Sequence, residues 1–149
     1  MSVKLLFLAG SARRDSVNKK LAQFACKQAE AMGVKAEFID LKDFPMPLYD
    51  GDLEEAEGMP EHAERLKKLF IECDGFFITS PEYNSSFSAL LKNALDWISR
   101  PSGEGEAPLI AYQGKVAAIS AASPGGLGGL RGLVPLRMML GNIAVTVVP

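Results

Sequence analysis

The chain has 149 residues, of which 48% are hydrophobic and 23% charged, and its formal net charge is −2. This length and composition predict one globular domain, spanning residues 1–149, and argue against disorder. The small negative charge gives no electrostatic basis for binding nucleic acid. The first apolar run, residues 5–9, is too short for a signal peptide or a membrane span, and no later run approaches spanning length. We therefore expect a cytoplasmic protein with no membrane partner.

The first half of the chain predicts two strands and two helices. Residues 3–9 form an apolar run typical of a buried strand, and residues 34–41 form a second one. Between them, Gly33 ends a helix whose apolar face consists of Leu21, Phe24, Ala25, Ala29 and Met32. Residues 42–60 are too long for an ordinary connection and predict a functional loop or a short helix. The next helix has an apolar face made of Ala63, Leu66, Leu69, Phe70 and Cys73.

The second half predicts three more strands, at residues 75–79, 116–120 and 143–148. A helix after Ser86 carries an apolar stripe formed by Leu90, Leu91, Ala94, Leu95 and Ile98. The last helix, residues 130–140, contains Pro135, which should kink it or mark its true start. The connecting loops are residues 100–114 and the glycine-rich residues 123–129.

Strands separated by helices predict an α/β fold, in which a parallel sheet carries helices on both faces. Five such strands fit a doubly wound, flavodoxin-like sheet with strand order 2-1-3-4-5. In this fold, ligands bind at the carboxyl ends of the strands, near the point where the strand order reverses. We therefore expect the loops after the first, third and fourth strands to border one crevice.

The loop after the first strand has the residue types of a phosphate site. Residues 10–18 read Gly-Ser-Ala-Arg-Arg-Asp-Ser-Val-Asn and lead from a strand into a helix. The helix start offers unpaired N–H groups and a positive dipole end. Ser11, Ser16 and Asn18 add side-chain donors, and Arg13 can bind phosphate through two parallel hydrogen bonds. An ordinary helix cap needs only one such residue, so we favour phosphate binding over a plain strand-to-helix turn.

The loops after the third and fourth strands suit a flat, partly polar ring. In residues 80–85, Pro81 fixes the backbone, Tyr83 offers an aromatic surface and Asn84 can hydrogen-bond to ring atoms. Residues 123–129 are rich in glycine, which permits close approach of the backbone to a ligand. Each loop alone could be a plain turn. Three such loops at one sheet edge favour a bound mononucleotide.

The sequence supplies no other catalytic or metal-binding constellation. Cys26 and Cys73 lie far apart without a second thiol nearby, which predicts two buried thiols rather than a disulfide or redox pair. The single histidine, His62, rules out a multi-histidine metal site and is expected on a solvated helix face. No G-x-G-x-x-G follows a strand, so a dinucleotide is not expected as the resident cofactor.

Three segments together resemble the signature segments of the NADPH-dependent FMN reductase family: residues 10–18, residues 81–84 (Pro-Glu-Tyr-Asn) and residues 91–97 (Leu-Lys-Asn-Ala-Leu-Asp-Trp). This family includes flavin-containing chromate, quinone and azo-dye reductases. The resemblance implies that the first loop holds the FMN phosphate and that the other two approach the isoalloxazine ring. The implied FMN-binding residues are Ser11, Arg13, Ser16, Val17, Asn18, Pro81, Glu82, Tyr83, Asn84, Ser123, Gly125 and Gly126.

The resemblance also implies an oxidoreductase with NADPH or NADH as co-substrate. Hydride would pass to bound FMN, and electrons would then pass to a quinone, free flavin, azo dye or metal oxyanion in a ping-pong scheme, with no catalytic acid, base or nucleophile. Arg14, Arg100 and Arg131 are candidates for binding the 2′-phosphate of NADPH. The alternative is a flavodoxin-like electron carrier or FMN-binding module without NAD(P)H turnover, but carriers tend to be strongly acidic. A homodimer or dimer of dimers is implied, through residues 42–60 and the helix carrying Trp97.

Two features depart from the family pattern. Relatives often carry a proline after Pro-Glu-Tyr-Asn, where this chain has Ser-Phe-Ser at residues 86–88. Relatives also usually continue into a closing helix, whereas this sequence ends at Pro149, directly after the fifth strand. We expect the domain to lack that helix, which would leave one sheet face uncovered and indicate a truncated chain, a missing tail or cover from another subunit.

Overall fold

Five parallel strands form one sheet, in the order β2-β1-β3-β4-β5, in a computed structural model that describes residues 3–149. The strands are β1 (Lys4–Ala9), β2 (Lys35–Asp40), β3 (Gly75–Thr79), β4 (Val116–Ser120) and β5 (Thr146–Val147). The helices are α1 (Val17–Ala31), α2 (Gly51–Glu57), α3 (Glu61–Glu72), α4 (Ala89–Ser99) and α5 (Leu130–Asn142). The predicted flavodoxin-like α/β fold is confirmed.

The strand register brings three loops to one edge of the sheet. Ala9, the last residue of β1, lies opposite Thr79, the last residue of β3. Thr79 in turn lies opposite Ser120, the last residue of β4. Because the three strands end at the same level, the loops that follow them leave the sheet side by side.

The main core lies between one face of the sheet and helices α3, α4 and α5. Successive strand residues point to opposite faces, and those on this face of β1 and β3 are buried with the apolar stripes of the three helices. The cluster includes Leu6, Leu8, Phe76, Ile78, Leu66, Phe70, Leu91, Leu95, Leu136 and Leu140. The opposite face carries α1, where Phe7, Ala22 and Cys26 are buried. Helices therefore lie on both faces of the sheet, as predicted, and on the second face α1 packs against β1, β2 and β3.

The predicted apolar face of α1 is partly wrong. Phe24 and Met32 are exposed, at 62% and 82% of their surface. The buried positions of the helix are Asn18, Lys19, Ala22 and Cys26. Hydrophobic periodicity missed this face because two of its members are polar and have polar partners: the Asn18 side chain bonds to Ala122, and Lys19 Nζ lies 2.6 Å from Asp40 Oδ2.

Three other segments refine the sequence-based picture. Residues 42–60 do contain a short helix, α2. Pro135 does not mark the start of the last helix, since it lies inside α5. The final strand is shorter than the predicted residues 143–148, because α5 continues to Asn142 and Ala144 then turns with a left-handed φ of 68°.

Trp97, for which the sequence left both core and partner contact open, lies in the core. Its side chain is fully buried, and its Nε1 donates a hydrogen bond of 2.9 Å to the Pro47 carbonyl. The ring of Tyr49 meets it edge-on at 5.0 Å. Trp97 therefore fixes residues 47–49 against α4.

None of the helices between residues 3 and 149 combines the length and the apolar character needed to cross a membrane.

The observed burial on α1 predicts that substitution by serine destabilises the protein at Cys26 but has little effect at Phe24. Cys26→Ser places a hydroxyl in a buried site and should lower the free energy of unfolding by about 1–2 kcal/mol. Phe24→Ser changes an exposed side chain and should shift it by less than about 0.5 kcal/mol. Urea denaturation followed by circular dichroism measures both, and equal losses would contradict the burial pattern.

Candidate functional site

A cavity of about 500 Å³ opens at the carboxyl ends of β1, β3 and β4. Its lining residues come from the three loops that the strand register brings together. They are Ser11, Arg13, Asp15, Ser16, Val17, Asn18, Pro81, Glu82, Tyr83, Ala122, Ser123 and Pro124. Nine of the twelve residues named from the sequence are in this lining.

The other three predicted residues lie nearby but outside this lining. Gly125 and Gly126 line an adjoining cavity of about 370 Å³, which shares Glu82 and Ser123 with the first. Asn84 lines neither cavity and is exposed. Three lining residues, Asp15, Ala122 and Pro124, were not among the twelve. Asp15 and Pro124 lie inside loops that the motifs had marked, whereas Ala122 lies directly before the marked residues 123–129.

Two buried serine hydroxyls are aligned by the backbone of the first loop. Ser11 Oγ accepts a hydrogen bond from Arg13 N at 3.3 Å. Ser16 Oγ caps α1 by accepting from Lys19 N at 3.4 Å. Because each hydroxyl uses its oxygen as an acceptor, its own hydrogen remains available to donate. Helix capping and anion binding are therefore compatible at Ser16.

Two neighbouring arginines differ in their relation to the cavity. Arg13 is exposed, lines the cavity, and makes no side-chain hydrogen bond or ion pair with any residue in 3–149. Arg14 is also exposed but does not line the cavity. Asp15 brings a carboxylate to the same rim. The guanidinium of Arg13 is thus the cation that this loop presents to the cavity.

Close packing against α4 fixes the position of the first loop. Gly10 N donates to the Thr79 carbonyl at 2.7 Å. A Cβ at Gly10 would lie 2.8 Å from Ser88 Oγ and 2.9 Å from Leu91 Cβ. Only glycine lets the backbone approach the start of α4 this closely.

Asn18 joins the first loop to the loop after β4. Its Nδ2 donates to the Ala122 carbonyl, its Oδ1 accepts from the Ala122 N–H, and both distances are 3.0 Å. The Asn18 carbonyl accepts from Thr79 Oγ1 at 2.9 Å. The carboxamide is buried, so its main role in this structure is to hold these loops together.

The loop after β3 forms a tight turn with two left-handed residues. Asn84 and Ser85 have φ values of 51° and 66°. Tyr83 and Ser86 flank them and exchange two backbone hydrogen bonds, of 2.9 and 3.1 Å. This is the pattern of a type I′ turn, which favours asparagine. Asn84 therefore shapes the turn, while Pro81 and Tyr83 face the cavity.

The Glu82 carboxylate is bound to the beginning of α5. It accepts from Arg131 N at 3.1 Å and from Gly132 N at 3.3 Å. The Arg131 side chain donates to it from Nε at 2.8 Å, and Nη2 lies 2.7 Å away. The carboxylate thus supplies a cap for the first turn of α5.

The cysteines and the histidine lie away from the cavity lining. Both cysteines are buried, as predicted, and burial raises the pKa of the Cys73 thiol to about 11. A thiol of this kind stays protonated at neutral pH and is not a nucleophile. His62 is on α3 and partly exposed, with its Nδ1 3.3 Å from Arg65 Nη1. Among residues 3–149, no group of three His, Cys, Asp or Glu side chains could hold a metal ion.

Comparison with known proteins gives one consistent family. The description "NADPH-dependent FMN reductase" belongs to the family model that matches residues 3–149. A 2-hydroxy-1,4-benzoquinone reductase from a Burkholderia species is 38% identical over 128 residues, covering 86% of this chain and 64% of that protein. An NAD(P)H:quinone oxidoreductase from Solanum tuberosum is 36% identical over 140 residues, covering 92% and 66%. The chain spans about two thirds of the length of these curated relatives.

A solved structure supports the same assignment. The flavoenzyme NAD(P)H:(acceptor) oxidoreductase FerB from Paracoccus denitrificans superimposes with a TM-score of 0.82 and 33% sequence identity. The match covers 99% of this chain and 75% of that one. Because the family match runs through all the described residues and both relatives exceed 30% identity, the chain belongs to the NADPH-dependent FMN reductase family.

Proposed function

We propose that this chain binds FMN and acts as an NAD(P)H-dependent reductase of small-molecule acceptors, with quinones as the first class to test. The observation that carries the proposal is the cavity at the carboxyl ends of β1, β3 and β4, where Ser11, Ser16 and Arg13 share one lining with Pro81 and Tyr83. Its volume of about 500 Å³ is typical of small-molecule and cofactor sites. The quinone reductases among the relatives support the choice of acceptor.

The first loop fits the phosphate of FMN. Ser11 and Ser16 each have a hydroxyl hydrogen to donate, and the first turn of α1 adds backbone N–H groups and a positive dipole end. Arg13 supplies a guanidinium with no competing partner in residues 3–149. The Asn18 carboxamide is bound to Ala122, so any contact with phosphate would use its backbone N–H or its remaining amide hydrogen.

The other two loops fit a flat ring. Pro81 and Tyr83 line one part of the cavity, and Ser123 and Pro124 line another. Tyr83 is 57% exposed, so a second molecule can reach this end of the cavity from solvent. Gly125 and Gly126 border the adjoining cavity, where the backbone can approach a ligand closely.

The residues around the cavity bind and orient; they do not supply a proton-transfer or nucleophilic constellation. When bound, FMN supplies the hydride and electron transfer that the reaction needs. Ser11, Ser16 and Arg13 would hold its phosphate, and Pro81, Tyr83 and Ser123 would position its ring. An acceptor and a nicotinamide that both reach the ring from the Tyr83 side would have to bind in turn.

The phosphate assignment predicts a difference between two adjacent arginines. Arg13→Ala should weaken FMN binding by about 1.5–3 kcal/mol, or roughly 10- to 150-fold, because a charged two-bond contact is lost. Arg14→Ala is the matched control and should have a much smaller effect, since Arg14 does not line the cavity. Titration calorimetry with FMN and riboflavin measures both variants.

Riboflavin lacks the phosphate and should bind the wild type and Arg13→Ala about equally poorly. Equal FMN affinities in the wild type and Arg13→Ala would show that the first loop is not the phosphate site.

The reductase assignment predicts two separable half-reactions. NADPH alone should remove the visible absorbance of bound FMN in stopped flow, and a quinone should restore it. Initial rates with both substrates varied should give the parallel lines of a ping-pong scheme, because the two substrates share one entrance. An electron carrier would give neither result: its flavin would stay oxidised with excess NADPH or NADH, although a separate reductase could reduce it.

A second copy of the chain is the proposed partner. Residues 47–49 are fixed on α4, because Pro47 O accepts from Asn93 Nδ2 at 2.8 Å and Asn93 Oδ1 accepts from Tyr49 N at 2.8 Å. This segment displays Leu48, which is 79% exposed. A fixed, exposed apolar side chain is typical of an interface. These contacts support a homodimer formed by residues 42–60 and α4, with a dimer of dimers as the larger assembly.

The proposed interface predicts that a charge introduced at Leu48 disrupts the dimer, whereas a charge introduced at Met32 does not. Leu48→Glu should convert the dimer to a monomer in sedimentation at micromolar concentration, because it places a charge in the contact. Met32→Glu is the control, since Met32 is equally exposed but lies at the end of α1. A wild-type chain that sediments as a monomer with full activity would contradict the proposal.

A further inference from the structure

The helix α5 depends on another segment for the cap of its first turn. Gly129 precedes the helix with a left-handed φ of 90° and has no side chain to cap it. The Glu82 carboxylate takes this place by accepting from the N–H groups of Arg131 and Gly132, 49 and 50 residues along the chain. A negative charge at this end also complements the helix dipole.

The Glu82 carboxylate is already paired with groups of α5 and is therefore not a free anion toward a ligand. The Arg131 side chain donates to it from Nε and forms an ion pair with it through Nη2, so a cation and two backbone donors meet one anion. The Glu82 side chain is only 10% exposed, although it lines both cavities. Its oxygens therefore act on α5 rather than on a molecule in the cavity.

Two glycines let the loops approach closely enough for this contact. A Cβ at Gly132 would lie 3.1 Å from Ser86 O and 3.3 Å from Glu82 Cβ. A Cβ at Gly129 would lie 2.5 Å from Ala121 Cβ. The start of α5 therefore sits directly on the turn after β3 and on the loop after β4.

We propose that Glu82 is a positioning residue for the flavin ring: by holding the start of α5, it fixes the glycine-rich residues 123–129 at a set distance from Pro81 and Tyr83. This proposal rests on the proposed FMN function. Residues 123–129 have few buried side chains of their own, so their position depends on the polar contacts at each end. Asn18 holds one end through Ala122, and Glu82 holds the other through Arg131 and Gly132.

Because Glu82 contacts α5 and not the residues proposed to hold the phosphate, changing Glu82 should affect binding of the flavin ring but not binding of the phosphate. The side chains of Ser11, Ser16 and Arg13, which are proposed to hold the phosphate, make no hydrogen bond or ion pair with Glu82 or α5 in the described part of the chain. Loss of the Glu82 contacts should therefore weaken FMN and riboflavin by the same factor. Loss of a phosphate contact, in contrast, weakens FMN alone.

The test compares Glu82→Gln with Glu54→Gln, each made in the full chain. Glu54 is the matched control, because it also binds an arginine, Arg100 Nε at 2.8 Å, but lines neither cavity. Hydrogen exchange measured without flavin should accelerate about tenfold in residues 123–132 of Glu82→Gln, and not in α3. Both FMN and riboflavin should bind about tenfold more weakly to Glu82→Gln, with their affinity ratio unchanged. Glu54→Gln should match the wild type in each measurement.

Two further variants keep the proposal decidable if Glu82→Gln does not fold. Glu82→Asp keeps the charge but shortens the side chain, and should shift exchange and both affinities in the same direction by a smaller factor. Arg131→Gln removes the ion pair but leaves the capping bonds, and should change both affinities by less than about threefold.

Unchanged exchange in residues 123–132 of Glu82→Gln and Glu82→Asp would overturn the proposal, as would weaker FMN binding with unchanged riboflavin binding. Faster exchange in α3 as well would show general destabilisation and would also overturn it. A wild-type chain that binds neither flavin would instead contradict the proposed function, and with it the role of Glu82 toward a ring.

Discussion

The equal termination of β1, β3 and β4 is the constraint on which the rest of the site depends. Parallel pairing sets Ala9 beside Thr79 and Thr79 beside Ser120, so three loops leave the sheet at one level. A shift of one residue in any strand would turn its core side chains to the other face, so burial of the core fixes the register. The core thus positions the cavity although none of its large apolar residues lines it.

The packed core fixes the residues at which the loops begin, whereas polar contacts between segments fix the path that each loop follows. Asn18, at the start of α1, bonds to backbone groups of the loop after β4, and Glu82, in the loop after β3, bonds to backbone groups at the start of α5. Hydrogen bonds of this kind are directional, so they define the orientation of the segments that they join. Loops rich in glycine and serine therefore gain a defined shape without an apolar cluster of their own.

Much of this architecture could be predicted from the sequence, and the failures at α1 and at Glu82 share one cause. Alternation of strands and helices gave the strand order, and the three loop motifs gave most of the cavity lining. Periodicity failed on α1, where buried Lys19 binds Asp40 and apolar Phe24 faces solvent. Motif reading likewise could not show that Glu82 binds α5, because that partner lies 49 residues away. Long-range polar pairs leave no local pattern, so only the folded arrangement reveals them.

The arginines differ in whether their guanidinium groups are already paired with a carboxylate, and this limits what else each can bind. Arg100 is bound to Glu54 and lies over the Tyr49 ring, with its guanidinium carbon Cζ 5.6 Å from the ring centre. Arg131 is bound to Glu82. An arginine already paired with a carboxylate must give up that pair, or share it, before it can bind a phosphate. Of the arginines considered as partners of the NADPH 2′-phosphate, Arg14 alone has no such competing pair within residues 3–149, and it does not line the cavity. Arg13 likewise has no competing pair within residues 3–149, and because it lines the cavity it is better placed than Arg14 for the proposed FMN phosphate.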